Sequence, residues 1–337
     1  MRVIIDAMGG DNAPDVLVRG ALDAASEFGC EITLVGRGEE ISSVFERHGH
    51  AQLPAGFEIA EAADVVKIED DPATVIRTKK DSSLVVALNL LRDGRGDALV
   101  SAGSTGALLS GATLIVKRIR GIRRAALAPF IPNSANGFVL IDCGANAECT
   151  PEYLLQFAFM GSYYAQDAFS LESPRVGLLN IGQENTKGTQ LQLDTYELLQ
   201  KAGQDGRLNF IGNTEPPAAM KGECDVLVCD GYTGNILLKA IEGTASLVMS
   251  EIKAAFYKNA MTKLSALFVK KHMLALRKKM SADTIGGTAL LGITKPVIKA
   301  HGSSNASAIT SAIRQAINAA KSGTATRLLE NMDKISL

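Results

Sequence analysis

The chain has 337 residues, 46% hydrophobic and 21% charged, enough apolar content for a large core in one α/β domain or two smaller ones. Its 35 basic and 36 acidic residues leave a net charge of −1, so no global electrostatic case for nucleic acid exists. With 5% aromatic residues and no Trp, base-stacking platforms and carbohydrate sites are also poorly supported. Met1 leads directly into the strand-like Arg2-Val3-Ile4-Ile5-Asp6, so no signal peptide is expected ahead of the fold. Strands are expected at residues 3–6, 31–35, 57–60, 98–101, 127–131, 138–142, 176–181, 208–211, 226–230 and 297–301. Helical spacing of apolar residues fills most of the gaps, as in Leu84, Ala87, Leu88 and Leu91.

Apolar strands alternating with helices imply a mostly parallel sheet covered on both faces. The expected architecture is a three-layer α/β/α, Rossmann-like single domain over residues 1–337, with two lobes allowed. Five cysteines (Cys30, Cys143, Cys149, Cys224, Cys229) form no CxxC pair and fit a reduced cytoplasmic setting. No run of about 18 apolar residues appears, so no membrane span is expected. Residues 251–280 depart from the pattern: eight Lys or Arg residues stand against one acid, Glu251, with apolar residues at helical spacing. A helical hairpin joined near residues 264–269 is expected there, with an apolar tip at Leu264, Leu267 and Phe268 flanked by Lys270 and Lys271. It is either a solvated pair packing on the body or on a second subunit, or a contact for an anionic bilayer or acidic protein.

Four strand ends carry similar chemistry: Asp6-Ala7-Met8-Gly9-Gly10-Asp11, Ser101-Ala102-Gly103-Ser104-Thr105-Gly106, Asp142-Cys143-Gly144-Ala145-Asn146 and Asp230-Gly231-Tyr232-Thr233-Gly234-Asn235. A glycine turn before a helix aims free N–H groups and the positive dipole end at an anion. One such turn alone is more often a tight turn with a capping Asp; four at strand ends point to a phosphate-sized ligand. No GxxxxGK[ST] loop, GxGxxG fingerprint, GxSxG elbow or HExxH pair occurs.

These turns, in this order, resemble the PlsX family. So do Lys79-Lys80-Asp81-Ser82-Ser83, Gly182-Gln183-Glu184-Asn185-Thr186-Lys187-Gly188, Gly286-Gly287 before Leu290-Leu291-Gly292, and His301-Gly302-Ser303. The resemblance covers nearly the whole chain. It implies transfer of a fatty acyl group from acyl carrier protein to inorganic phosphate, early in phospholipid synthesis. It also implies a homodimer and a fold similar to isocitrate and isopropylmalate dehydrogenases and phosphotransacetylases. The implied setting is cytoplasmic, at the inner membrane face, beside a membrane-bound glycerol-3-phosphate acyltransferase. No cofactor or metal is implied. Two departures stand out: Ser104 replaces the family's usual Asn, and Pro216-Pro217 follow Gly212-Asn213-Thr214-Glu215 where the family is more polar.

Phosphate is itself the nucleophile in this chemistry, so the protein must hold a dianion beside a thioester carbonyl and stabilise an oxyanion. Lys187 is the expected cationic contact, with Glu184 orienting it. Asn146 and Asn235 are the expected donors, and His301 a proton relay or a structural cap. Backbone N–H groups at Gly9, Gly10, Gly103, Gly106 and Gly144, with Met8, Ser101, Ser104, Thr105 and Gly234 in the same turns, would complete the phosphate cradle. Asp6, Asp11, Asp142 and Asp230 read as acceptors that order loops. Cys143 is a less favoured acyl-carrying nucleophile, because a buried thiol suits its turn equally well. Three rival readings remain. One is a phosphotransacetylase-like enzyme using acyl coenzyme A. The second is a decarboxylating dehydrogenase of similar fold, and the third a membrane-surface or regulatory binding module.

Overall fold

The computed structural model describes residues 1–280 and 286–335. Its strands are β1 (Arg2–Asp6), β2 (Glu31–Gly36), β3 (Phe57–Glu61), β4 (Ala98–Ser101), β5 (Ala126–Ala128) and β6 (Phe130–Ile131). The later ones are β7 (Phe138–Ile141), β8 (Val176–Leu179), β9 (Phe210–Thr214), β10 (Val226–Val228), β11 (Thr288–Leu291) and β12 (Val297–Lys299). They form a seven-stranded sheet, β3-β2-β1-β4-β12-β11-β5, and a five-stranded sheet, β6-β7-β10-β8-β9. Pairing is parallel except around β11 and at β6.

Alternation within strands explains the layering. Val3 and Ile5 face one apolar cluster while Ile4 faces another; Ala98 and Val100 oppose Leu99 in the same way. Both faces are therefore covered, as continuous apolar strands require. Each fully buried Ile or Leu contributes about 1.5–3 kcal/mol. One cluster runs beneath both sheets, from Val3 and Ile32 to Val176 and Val226, so the two lobes share a core.

Three elements differ from the sequence reading. The strand expected at 127–131 is divided at Pro129, which has no N–H to donate. Ala126–Ala128 pairs with β11 in one sheet and Phe130–Ile131 with β7 in the other, so the chain changes sheets at this proline. Strand β11, Thr288-Ala289-Leu290-Leu291, is not among the expected strands, because the short run lies between Gly287 and Gly292. The hairpin is longer than expected and is joined elsewhere. Helices Gly231–Tyr257 and Ala260–Met280 meet at Lys258 and Asn259, not at 264–269. Asn259 ends the connection: its Oδ1 accepts from Thr262 N–H (2.9 Å), and its own N–H donates to Thr262 Oγ1 (3.1 Å). The first helix, 27 residues and about 40 Å long, buries only Gly231 and Gly234. Leu237, Leu238 and Ile241 rest partly buried on the core, and the helix also packs on its partner helix. Arg277, Lys278, Lys279 and Met280 lie outside the described side chains.

Candidate active site between the two sheets

Three turns of the larger sheet interlock. Asp6 is buried; its Oδ2 accepts from Ser101 Oγ at 2.7 Å, and its Oδ1 has no hydrogen-bond partner. Burial pushes the Asp6 carboxyl up, opposed by the Ser83 and Ser101 hydroxyls, the Met8 N–H and the Lys299 charge. Ser101 Oγ in turn accepts from Gly103 N–H at 3.1 Å. A Cβ at Gly9 would lie 2.6 Å from Asp6 Oδ2 and 2.7 Å from Gly103 N, so only glycine allows this approach. Asp11 N–H donates to Gly302 O at 2.9 Å, tying the β1 turn to the turn after β12. Met8 packs on Gly36, Gly106 backs onto Pro72, and Ser104 Oγ accepts from Ala107 N–H at 3.5 Å to cap the following helix. These glycines serve turn-to-turn packing as much as ligand approach.

The smaller sheet contributes a turn built around Asp142, which is fully buried. Its Oδ1 accepts from the N–H groups of Leu127 (2.8 Å), Cys143 (2.7 Å) and Ala145 (3.2 Å). Its Oδ2 accepts from Asn146 N–H (2.7 Å) and Asn146 Nδ2 (2.9 Å). Burial raises the carboxyl's pKa, and these donors oppose it by favouring the ionised form. Asn146 Nδ2 also donates to Ala125 O at 2.8 Å, so both of its amide hydrogens hold the turn and neither is left for a ligand. Asp230 caps the long helix through Thr233 N–H (2.9 Å) and Thr233 Oγ1 (2.7 Å). Gly231 and Gly234 let that helix N-terminus press against the Asp142 turn. Cys143 donates its thiol to Gly234 O at 3.2 Å; burial first, then the Asp142 charge, pushes its pKa well up. A thiol held protonated is a poor nucleophile.

Between the sheets, at the carboxyl ends of β4, β7, β10 and β12, lies a cleft of about 730 Å³. Its polar lining includes Thr105, Asn235, Lys239, Glu242, Lys299 and His301. Its apolar lining includes Leu127, Phe130, Ile131, Met220, Leu238 and Ile241. Asn235 stands over Gly144 (φ +104°), where a Cβ would sit 3.5 Å from Asn235 Cγ. His301 Nδ1 lies 2.9 Å from Ser303 Oγ and 3.3 Å from Ser303 N, so this side of the ring is held by its own turn.

Of the residues named from sequence, the cleft gathers Asn235, His301, Gly144 and Thr105, and also Cys143, the less favoured nucleophile. Lys187 and Glu184 are exposed on the loop beyond β8 and do not line it. That loop is held by Asn213 Nδ2 donating to Glu184 O (2.8 Å) and Asn180 Nδ2 donating to Lys187 O (3.0 Å); no Glu184–Lys187 ion pair forms. Sequence reasoning missed Lys299 and Lys239. The signal for Lys299 was available: it is the one charged residue between Val297 and His301, in an otherwise apolar strand end. Leu264, Leu267 and Phe268 are 60%, 66% and 81% exposed, and Lys270 and Lys271 beside them are exposed too.

The fold thus presents a cleft between two mostly parallel sheets, lined by both charged and apolar side chains, as in α/β enzymes that bind ligands at strand ends. The chain matches the family described as "Fatty acid synthesis protein" over residues 1–327 and belongs to it. A "Phosphate acyltransferase" from Thermoanaerobacter pseudethanolicus is 45% identical over 319 residues, covering 94% of this chain and 93% of that protein. The chain is thus an acyltransferase of the phosphate acyltransferase class. In fold it is similar to a phosphotransacetylase from Streptococcus pyogenes (TM-score 0.62, 19% identity, 96% of this chain and 94% of that one). A 4-hydroxythreonine-4-phosphate dehydrogenase from Klebsiella pneumoniae is similar at TM-score 0.50 and 11% identity, covering 95% and 99% of the two chains. The dehydrogenase-like fold expected from sequence is the observed one.

Proposed function

We propose that the chain transfers a long-chain acyl group from acyl carrier protein to inorganic phosphate, releasing acyl phosphate and the free carrier thiol. The observation that carries this is the cleft's mixed lining, with Asn235, Lys299 and His301 among apolar Leu127, Phe130, Ile131 and Leu238, which suits a phosphate and a fatty acyl chain together. Hydrogen phosphate attacks the thioester carbonyl through one oxygen, the C–S bond breaks, and the phosphate's proton leaves with the thiolate. A thiol of pKa roughly 8.5 needs little help to depart. Asn235 and His301 line the cleft, and in this reading they donate to the carbonyl oxygen as charge develops there. The apolar lining keeps water from an acyl phosphate that hydrolyses readily. Lys187 lies outside the cleft lining and is given no role in the transfer step.

Hydroxylamine trapping tests the reading. Long-chain acyl carrier protein plus phosphate should yield hydroxamate, and short acyl coenzyme A should be turned over far more slowly. Equal turnover of the two donors moves the chain to the phosphotransacetylase reading.

The hairpin is assigned to the membrane face. Among the described residues no helix is long and apolar enough to cross a bilayer. Exposed Leu264, Leu267 and Phe268 beside Lys270 and Lys271 suit reversible contact with anionic lipid, in a cytoplasmic homodimer that hands acyl phosphate to a membrane-bound glycerol-3-phosphate acyltransferase. Replacing the three apolar residues with Ser should abolish co-sedimentation with phosphatidylglycerol vesicles while activity in solution persists. Loss of activity in a folded variant would assign the segment to the active site or to carrier docking instead.

A further inference from the structure

We infer that Lys299 is the cation that holds the phosphate nucleophile in the cleft, an assignment that rests on the acyl-transfer reading above. Strand β12 carries this residue out of the core: Ile298 and Ala300 on either side are buried, so the main chain that presents it is fixed. Its Nζ donates to Ala102 O at 3.3 Å and to Ala300 O. An ammonium has three donors, which leaves one for a ligand. Asp6 and Asp11 act on it through space, and no carboxylate among the described residues forms an ion pair with it, so its charge is not cancelled. Lys239, the other cation of the lining, is paired to Glu242 at 2.7 Å. Lys187 lies outside the lining altogether. Thr105, Asn235 and His301 share the cleft with Lys299 and supply the remaining polar contacts.

The charge of Lys299 is conditional. Burial holds its pKa down at about 8, Asp6 and Asp11 oppose this, and Lys239 adds to it. The charged and titratable groups around it are thus Asp6 and Asp11 from the β1 end, the Lys239–Glu242 pair from the long helix, and His301 just beyond its own strand. The ammonium is present below that pH and lost above it, so phosphate capture should weaken as pH rises through about 8.

The test compares wild type, Lys299→Met and Lys299→Arg as full chains. Phosphate affinity is read by calorimetry without acyl donor, and KM for phosphate and for acyl carrier protein by thiol release. Lys299→Met should weaken phosphate binding and raise its KM about 10- to 100-fold, the loss of one charge-assisted contact, with the donor KM near wild type. Lys299→Arg should recover part of the affinity and remove the decline above pH 8. A folded Lys299→Met protein with wild-type phosphate affinity overturns the assignment. If that variant does not fold, an unchanged pH profile in Lys299→Arg overturns it equally. Wild type that binds phosphate through Lys299 yet transfers no acyl group would leave the site standing and defeat the acyl-transfer reading.

Discussion

Replacing Asp142 with Ala should destabilise the protein by at least about 3 kcal/mol and abolish activity, the largest effect expected of a single side chain outside the cleft lining. Four backbone N–H groups and the Asn146 amide converge on this carboxylate, all between 2.7 and 3.2 Å. Removing it leaves those donors buried without a partner, and each costs about 1–3 kcal/mol unless water enters. The turn also fixes Gly144 and supports the helix that carries Asn235, so the active site fails along with the fold. Asp142→Asn should not rescue it, because an amide nitrogen would face donors. A melting curve checks this: a fall of roughly 5–10 °C is expected. Wild-type melting and turnover in Asp142→Ala would show that the turn does not depend on the carboxylate.

The second large effect is expected at Gly234. It lies inside a helix with helical backbone angles, where Gly→Ala ordinarily stabilises by about 0.5–1 kcal/mol. Here an added Cβ would overlap the Asp142 carbonyl and come within 2.8 Å of Cys229 Sγ. Overpacking of this kind costs about 1–3 kcal/mol, so the clash wins. The helix N-terminus must then move back and take Asn235 with it. A displacement of about 1 Å at a reacting centre costs on the order of 100-fold in rate. Gly243→Ala, in the same helix with nothing within 4 Å of its Cβ, is the control and should be slightly stabilising and fully active. If both variants behave alike, helix propensity governs Gly234 and the close approach to the Asp142 turn has no functional weight.

Much of the fold was legible because parallel strands buried on both faces read as apolar runs, and ten such runs marked strands in both sheets. The sequence reading failed where local and tertiary signals diverged. The run at 127–131 looks continuous, and only its pairing with two different partners divides it at Pro129. Strand β11 has the glycines of a loop on either side, Gly287 and Gly292, which hid it. At the hairpin, apolar spacing located helices but not their joint, which is set by the Asn259–Thr262 contacts. For the site, glycine and acid patterns marked the converging turns. They could not distinguish a donor left free, such as Asn235, from one consumed by its own turn, such as Asn146. Lys299 was overlooked because a lysine in a short strand carries no motif; its role follows from what the third dimension places opposite it.

In direct attack, phosphate reaches the thioester with no acylated protein on the way. A single-turnover measurement of thiol release from long-chain acyl carrier protein, with phosphate first withheld and then supplied, decides it. No release and no acylated chain are expected until phosphate is added, then release that saturates with phosphate concentration. A stoichiometric burst of thiol without phosphate, leaving the acyl group on the protein, would rule out direct attack and return Cys143 to consideration as a nucleophile.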